Sequence, residues 1–271
     1  MDLAAVMRTA VRAAYAGADV LRSRWPQPHS IGSKGPNDLV TDADIAAEET
    51  ILAAIRSAYP QHGITAEESG SQPSSSAERW LVDPLDGTVN YAHRVPFFAV
   101  SIAFACGDEV RAGVVLNPLS GELFSAQAGT GAFLNGEPIA VGPETRLADS
   151  LLATGFPYDR SRGFDAMAGR LLRILQASRG IRRFGSAALD LCFVACGRYA
   201  GYWEKGLQPW DSAAGALIVR EAGGRTTDFS NRPFGADGRE VLASNGRIHA
   251  EMLALLQSAP PPGARRMPGE W

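Results

Sequence analysis

Asp83-Pro84-Leu85-Asp86-Gly87-Thr88 is the stretch on which the reading of the chain turns. It follows Trp80-Leu81-Val82, an apolar run of strand formers, so two acids sit where a strand gives out. Pro84 keeps Asp83 extended, because its ring disfavours helical geometry in the residue before it. Gly87 removes the side chain that would hold a ligand away from the backbone. Such a turn can aim two carboxylates at one point, and a helical turn opening at Gly87-Thr88 would add unpaired amides that attract an anion. Carboxylates beside an anion site need a cation between them. Hard oxygen donors of this kind suit magnesium, which takes a few carboxylates, keeps several waters and completes its shell with phosphate oxygens. The competing reading is a turn whose aspartates only cap the backbone, since Asp and Gly are common in turns. The full six-residue string favours a site.

Two other acidic positions stand out. Glu67-Glu68 follows a short strand over 63–66, where neighbouring side chains point to opposite sides, so at most one of the pair serves a given ion. Trp210-Asp211-Ser212-Ala213-Ala214-Gly215 puts an acid where a helix of small and apolar residues begins; by itself it reads as a cap.

Around these strings, 2–24 and 42–58 read as helices, the second opening on Thr41-Asp42-Ala43-Asp44, with a loop over 32–37 between them. The serine-rich stretch 69–78 reads as a mobile surface connection before a strand at 80–82 that ends at Asp83-Pro84. From 96 to 139 the pattern is an antiparallel meander with turns at 117–121 and 135–136. Beyond about 148, strands near 151–153, 181–184, 200–203, 226–229 and 241–243 alternate with helices near 164–178, 186–196, 211–222 and 247–257. The fold class is thus mixed α+β and α/β: an N-terminal half over 1–148, a C-terminal half over 149–258 and a proline-rich tail over 259–271 expected to fray.

Composition excludes several functions. The 271 residues, 45% hydrophobic and 20% charged, can bury a substantial core. A net charge of -3 supplies no broad basic field for nucleic acid or an anionic membrane. Charged residues interrupt the N-terminal helix, and the longest uncharged apolar run, 95–107, is too short to span a bilayer, so a cytoplasmic protein is expected. Cys106, Cys192 and Cys196, all among apolar neighbours, read as reduced core thiols. Asp42-Ala43-Asp44 is no calcium loop, because Ala47 and Ala53 stand where the loop needs Gly and Glu. Gly129-Thr130-Gly131 is no dinucleotide fingerprint, because Leu134 replaces its last glycine and the segment sits within a meander. His29, His62, His93 and His249 lack metal-pair spacing, and the loop residue Lys34 reads as solvated.

The strings Ala66-Glu67-Glu68-Ser69, Asp83 to Thr88 and Trp210 to Gly215 occur in the order seen in inositol monophosphatases, and the chain resembles that family from Lys34-Gly35-Pro36-Asn37 to Ser244-Asn245. Arg182-Arg183-Phe184-Gly185-Ser186-Ala187-Ala188 is most similar to its bacterial members. The resemblance implies a layered α-β-α-β-α sandwich shared with fructose bisphosphatases, a homodimer, lithium sensitivity, and hydrolysis of a phosphate monoester with two or three magnesium ions. It implies that Glu67, Asp83 and the Leu85 carbonyl hold one ion and Asp83, Asp86 and Asp211 a second. Thr88, supported by Asp44, would activate water, the Gly87 and Thr88 amides would hold phosphate, and Ala187 and Glu204, with Asp86 and Asp211, would line the alcohol side. Histidinol phosphate, fructose bisphosphate and adenosine bisphosphate phosphatases share the scaffold, and Lys205 beside Glu204 is expected to bring positive charge towards the pocket rim. A partner- or RNA-binding scaffold with secondary catalysis is the reading of another class.

Overall fold

The computed structural model describes residues 2–25, 31–35, 38–72, 74–157 and 163–258. Helix α1 (Leu3–Arg24) opens on Asp2, whose carboxylate accepts from the Ala4 and Ala5 amides, and carries Arg22 and Arg24 in its last turn, where cations meet the negative end of the helix. Strands β1 (Ile31–Gly35) and β2 (Asp38–Thr41) pair antiparallel, where the sequence predicts a loop over 32–37. Glycine, serine and lysine there give no strand pattern; Gly32 and Ser33 pair with Val40 and Leu39. Helix α2 (Asp42–Ala58) begins in a capping box in which Thr41 and Asp44 hold each other's amides.

Next come β3 (Gly63–Ala66), β4 (Gly70–Gln72), β5 (Glu78–Asp86), the short α3 (Thr88–Ala92), β6 (Ala99–Cys106), β7 (Glu109–Leu116), β8 (Leu123–Gln127), β9 (Ala132–Leu134) and β10 (Glu137–Ile139). They form an eight-stranded sheet in the order β10-β9-β8-β7-β6-β5-β3-β4, its β6-to-β10 part the predicted antiparallel meander, to which β5 adds a further antiparallel strand. Strand β4 occupies part of the predicted surface connection. The second sheet contains β11 (Leu151–Thr154), β12 (Gly180–Arg182), β13 (Gly201–Lys205), β14 (Arg225–Thr227) and β15 (Glu240–Ser244), ordered β12-β11-β13-β15-β14. Its helices are α4 (Phe164–Ala177), α5 (Ala187–Ala195), α6 (Pro209–Glu221) and α7 (His249–Gln257). The proline-rich tail lies outside the described residues.

Strand β6 shows why these elements stack. Its alternate residues Val100, Ile102 and Phe104 enter a core shared with α1 and α2, while the small Ala99, Ala103 and Ala105 enter one shared with α5 and α6. The small face lets α6 come close: a Cβ on Gly113 of β7 would stand 3.0 Å from the Ala214 backbone. A third core joins the five-stranded sheet to α4 and α7. The layers are therefore α1/α2, the eight-stranded sheet, α5/α6, the five-stranded sheet and α4/α7. Cys192 is buried as predicted, but Cys106 ends β6 exposed, beside a turn at Gly107. No described helix is long and apolar enough to cross a membrane.

Candidate active site

Strand β5 does not stop at Asp83-Pro84, as the sequence predicts, but continues to Asp86 through an irregularity in its register with β6 between Asp83 and Asp86. The missing Pro84 amide falls inside that irregularity, so no regular ladder bond is lost. The bulge turns Asp83 and Asp86 towards one cleft. Gly87 then caps α3 with φ of 100°, a left-handed conformation only glycine adopts easily. An added Cβ would also meet the Phe97 and Gly185 carbonyls at 3.1 and 3.3 Å.

The carboxylates are tied to the scaffold by particular atoms. Asp83 Oδ1 accepts from the Leu85 amide at 2.9 Å. Asp211, at the third position of α6, accepts the Gln208 amide on Oδ2 at 2.8 Å. Asp86 Oδ2 accepts the Ser186 hydroxyl at 2.5 Å and the Ala188 amide at 2.7 Å, with the Ala187 amide 3.3 Å from Oδ1. A carboxylate has about four lone-pair sites, so each acid retains acceptor capacity. Behind the cleft, the Thr88 hydroxyl lies 3.0 Å from both Asp44 Oδ1 and the Leu85 carbonyl. With one proton to give, it can serve only one of them at a time.

Glu67, Asp83, Leu85, Asp86, Gly87 and Thr88 line a cleft of about 320 Å3, and Ala187, Glu204 and Asp211 line it from the second half of the chain. Leu85 is wholly buried in the cleft wall, with its carbonyl 3.0 Å from the Thr88 hydroxyl. Asp44 stands behind Thr88, fully buried, rather than in the wall. Five carboxyl groups thus share the cleft with a single cationic side chain among the described residues, Arg183, whose guanidinium sits 5.5 Å above the Phe156 ring. Burial, and then the charges of Glu67, Asp86 and Asp211, hold the Asp83 carboxyl well above the ordinary range. Burial and Asp86 do the same to Asp211. Asp86 is pushed up to about 6 by burial, against the pull of its hydrogen bonds, and Glu204 to about 7 by burial, against the Tyr202 hydroxyl and Arg183. These acids lack the positive charge that would let all of them ionise.

Sequence reasoning missed part of the wall. Arg183, not Lys205, brings the positive charge; Lys205 is exposed, 3.7 Å from Glu240, and does not line this cleft. Gly155 leaves room for Glu204: a Cβ there would lie about 2 Å from the Glu204 carboxyl and displace it from its present position. Asn90 donates to the carbonyls of Phe97 and Phe184, both at 2.7 Å, pinning the two loops together. Strand order and a glycine beside an acid have no local sequence signal. Gly129 and Gly131, read as turn glycines, donate their amides to the Glu221 carboxylate at 2.9 Å each. His249 and His62 pack, the latter accepting from Trp80; His29 and the Lys34 side chain lie outside what is described.

A sequence model of the inositol monophosphatase family matches residues 2–260. The chain belongs to that family. It is 43% identical over 261 residues to the inositol-1-monophosphatase of a Synechocystis species, covering 96% of this chain and 91% of the other. It is also 42% identical over 242 residues to the Nus factor SuhB of Pseudomonas aeruginosa, covering 88% and 89%. The solved inositol monophosphatase from Anabaena (Nostoc) superposes with a TM-score of 0.88 at 40% identity, over 96% of this chain and 99% of that one. As an inositol monophosphatase family member the chain is a phosphatase, of a family that is in general metal-dependent, and its layered architecture is that of the solved family members.

Proposed function

We propose that this phosphatase hydrolyses inositol monophosphate to inositol and phosphate with two or three magnesium ions. The observation that carries the reading is the set of Glu67, Asp83, Asp86 and Asp211, lining one cleft without matching positive charge, Asp83 buried and the others half-buried, three of them anchored by the scaffold yet with lone pairs to spare. That donor set fits a hard divalent cation.

Glu67, Asp83 and the Leu85 carbonyl would hold one ion, and Asp83, Asp86 and Asp211 a second. When bound, the ions supply Lewis acidity and a water of lowered pKa. Thr88 gives its proton to Asp44 and so presents a lone pair to the hydrogen of the attacking water, which fixes the water's direction. The Gly87 and Thr88 amides receive the phosphate. Ala187 and Glu204, with Asp86 and Asp211, receive the alcohol, and a carboxylate at Glu204 accepts from an inositol hydroxyl. The homodimer, the cytoplasmic setting and lithium inhibition follow from the same family reading.

A panel of phosphate esters assayed with magnesium tests the proposal. Inositol monophosphate is expected to give the highest kcat/KM; a preference for histidinol phosphate, fructose bisphosphate or adenosine 3',5'-bisphosphate would replace the substrate but keep the chemistry. A second reading is favoured by the name Nus factor SuhB, carried by a relative 42% identical: that this chain also serves as a factor bound to a partner. Metal binding without turnover of any ester would favour it.

A further inference from the structure

Asp44 is not the only buried acid on α2. Glu48, one turn further along the same face, is 3% exposed, and each of its carboxylate oxygens accepts one backbone amide, from Glu68 and from Ser69, both at 2.8 Å. Like charges four residues apart weaken a helix, so this pair is not kept for the sake of α2. The chemistry proposed above makes no use of Glu48.

The two amides belong to the turn that follows Glu67. The Glu67 amide itself donates to the Val82 carbonyl at 3.1 Å, extending the parallel pairing of β3 with β5 by one rung. Past that rung the chain has no strand partner until β4 begins at Gly70. Glu48 supplies the missing acceptors. The peptide plane before Glu67 is pinned by Val82 and the plane after it by Glu48, so the backbone angles of Glu67, and with them the direction in which its side chain leaves the chain, are restrained. That direction places Glu67 in the wall of the cleft that Asp83 also lines.

We propose that Glu48 is a positioning residue for the metal site, holding the Glu67–Ser69 turn so that Glu67 is aimed at Asp83 and thereby setting the affinity for the ion that Glu67 shares. The inference rests on the reading of Glu67 as a metal ligand. A carboxylate is needed because glutamine would turn an NH2 group against one of the two amide donors.

The test is Glu48→Gln in the full chain, with manganese(II) as the probe, its binding to the substrate-free protein followed by paramagnetic resonance. The dissociation constant is expected to rise about 10- to 100-fold, as loss of a group that orients a ligand commonly does. The magnesium concentration for half-maximal activity rises with it, while KM for the ester at saturating magnesium stays within about twofold. In a Glu67→Gln background the substitution adds nothing further to the dissociation constant, because there is no ligand left to aim. A lower melting temperature with unchanged manganese affinity would overturn the proposal and leave Glu48 a purely structural residue. If Glu67→Gln itself leaves the affinity unchanged, the ligand reading fails first; if Glu67→Gln weakens binding and Glu48→Gln does not, only the positioning role fails. Should Glu48→Gln not fold, Glu48→Asp decides: it keeps the charge but falls one methylene short, so a severalfold weaker affinity is expected and an unchanged one is fatal.

Discussion

Thr88 donates its hydroxyl to Oδ1 of Asp44, 3.0 Å away and 44 positions earlier in the chain, while the other Asp44 oxygen accepts the Thr41 amide and hydroxyl. Asparagine at 44 has one acceptor for these two duties. If its oxygen stays on Thr41, its NH2 faces Thr88 and turns the hydroxyl proton towards the water it should orient. Asp44→Asn is expected to lower kcat about 10²- to 10⁴-fold, the usual worth of positioned proton transfer. With the oxygen kept on Thr41 the capping box survives, so stability should fall by no more than about 1 kcal/mol. Steady-state kinetics beside urea unfolding separates the two effects, and a kcat within threefold of wild type would remove the pair from the chemistry.

Ser186 and Asp86 join the two halves of the chain across 100 positions at 2.5 Å. The bond favours the charged carboxylate, opposing the burial that pushes Asp86 up to about 6. Ser186→Ala should therefore raise the Asp86 pKa further in metal-free protein, and cost roughly 1.5–3 kcal/mol of stability as a bond to a charged group. Carboxyl-carbon NMR titration reads the first and denaturant unfolding the second. A pKa that stays put would mean that burial and the Ala187 and Ala188 amides set it without Ser186.

How much of this was legible in the sequence depends on how far apart the partners lie. Asp83 to Thr88 is one contiguous string, so its acids, its glycine and its hydroxyl could be read together. The helical periods of α1 and α2 were equally local. The grip of Ser186 and Ala188 on Asp86 was not, because it joins the start of α5 to the end of β5 through space. Lys205 looked like the rim cation because it adjoins Glu204, but neighbours on a strand face opposite sides, and the cation of the cleft comes from Arg183, beyond the edge strand β12. Pro84 looked like a strand end because a proline cannot donate to a ladder; the bulge that absorbs it is visible only once β6 is in place.

Gly113 shows how packing reaches the site. A Cβ there would sit 3.0 Å from the backbone of Ala214, one turn into the helix whose first turn holds Asp211. Backbone cannot yield as a side-chain tip can, so Gly113→Ala must push α6 away from β7. A loss of about 1–3 kcal/mol is expected, as for overpacking of a tight core. The shift is also expected to weaken metal affinity through Asp211, whereas a variant with wild-type metal affinity and reduced stability would show that the helix gives way only locally.

His249 predicts an acid-side stability loss. It is fully buried, between the hydroxyls of Thr227 at 3.0 Å and Ser244 at 2.8 Å. Burial, helped by the charge of Arg225, lowers its pKa to about 4. The unfolded chain takes up a proton near pH 6.5 that the folded chain refuses until about pH 4, so this contribution is intact above pH 6.5 and declines as pH falls through that window. The full decline is up to roughly 3 kcal/mol. Unfolding free energies between pH 4 and 7 should show a slope that His249→Gln removes, although the variant is less stable throughout; an equal slope in both proteins would assign the acid sensitivity to other groups.

Asp83 predicts the opposite sign, and links stability to metal. Its carboxyl is held well above the ordinary value near 3.8 by burial and by Glu67, Asp86 and Asp211. An acid raised on folding favours the folded state only while protonated, so its contribution is lost as pH rises from that value, and at neutral pH the metal-free protein carries the strain of these acids. Asp83→Asn removes one charge while its amide oxygen can still accept from Leu85. Metal-free Asp83→Asn should accordingly melt no lower than metal-free wild type, and above it if repulsion outweighs the lost polarity. Magnesium should reverse the order: wild type gains about 2.7 kcal/mol at a metal concentration 100 times the dissociation constant, whereas the variant gains little and is nearly inactive. Chelation should abolish wild-type turnover. Calorimetric melts of both proteins with and without magnesium check each step, and a wild type whose melting temperature and activity ignore both magnesium and chelator would mean that these four acids serve something other than a metal.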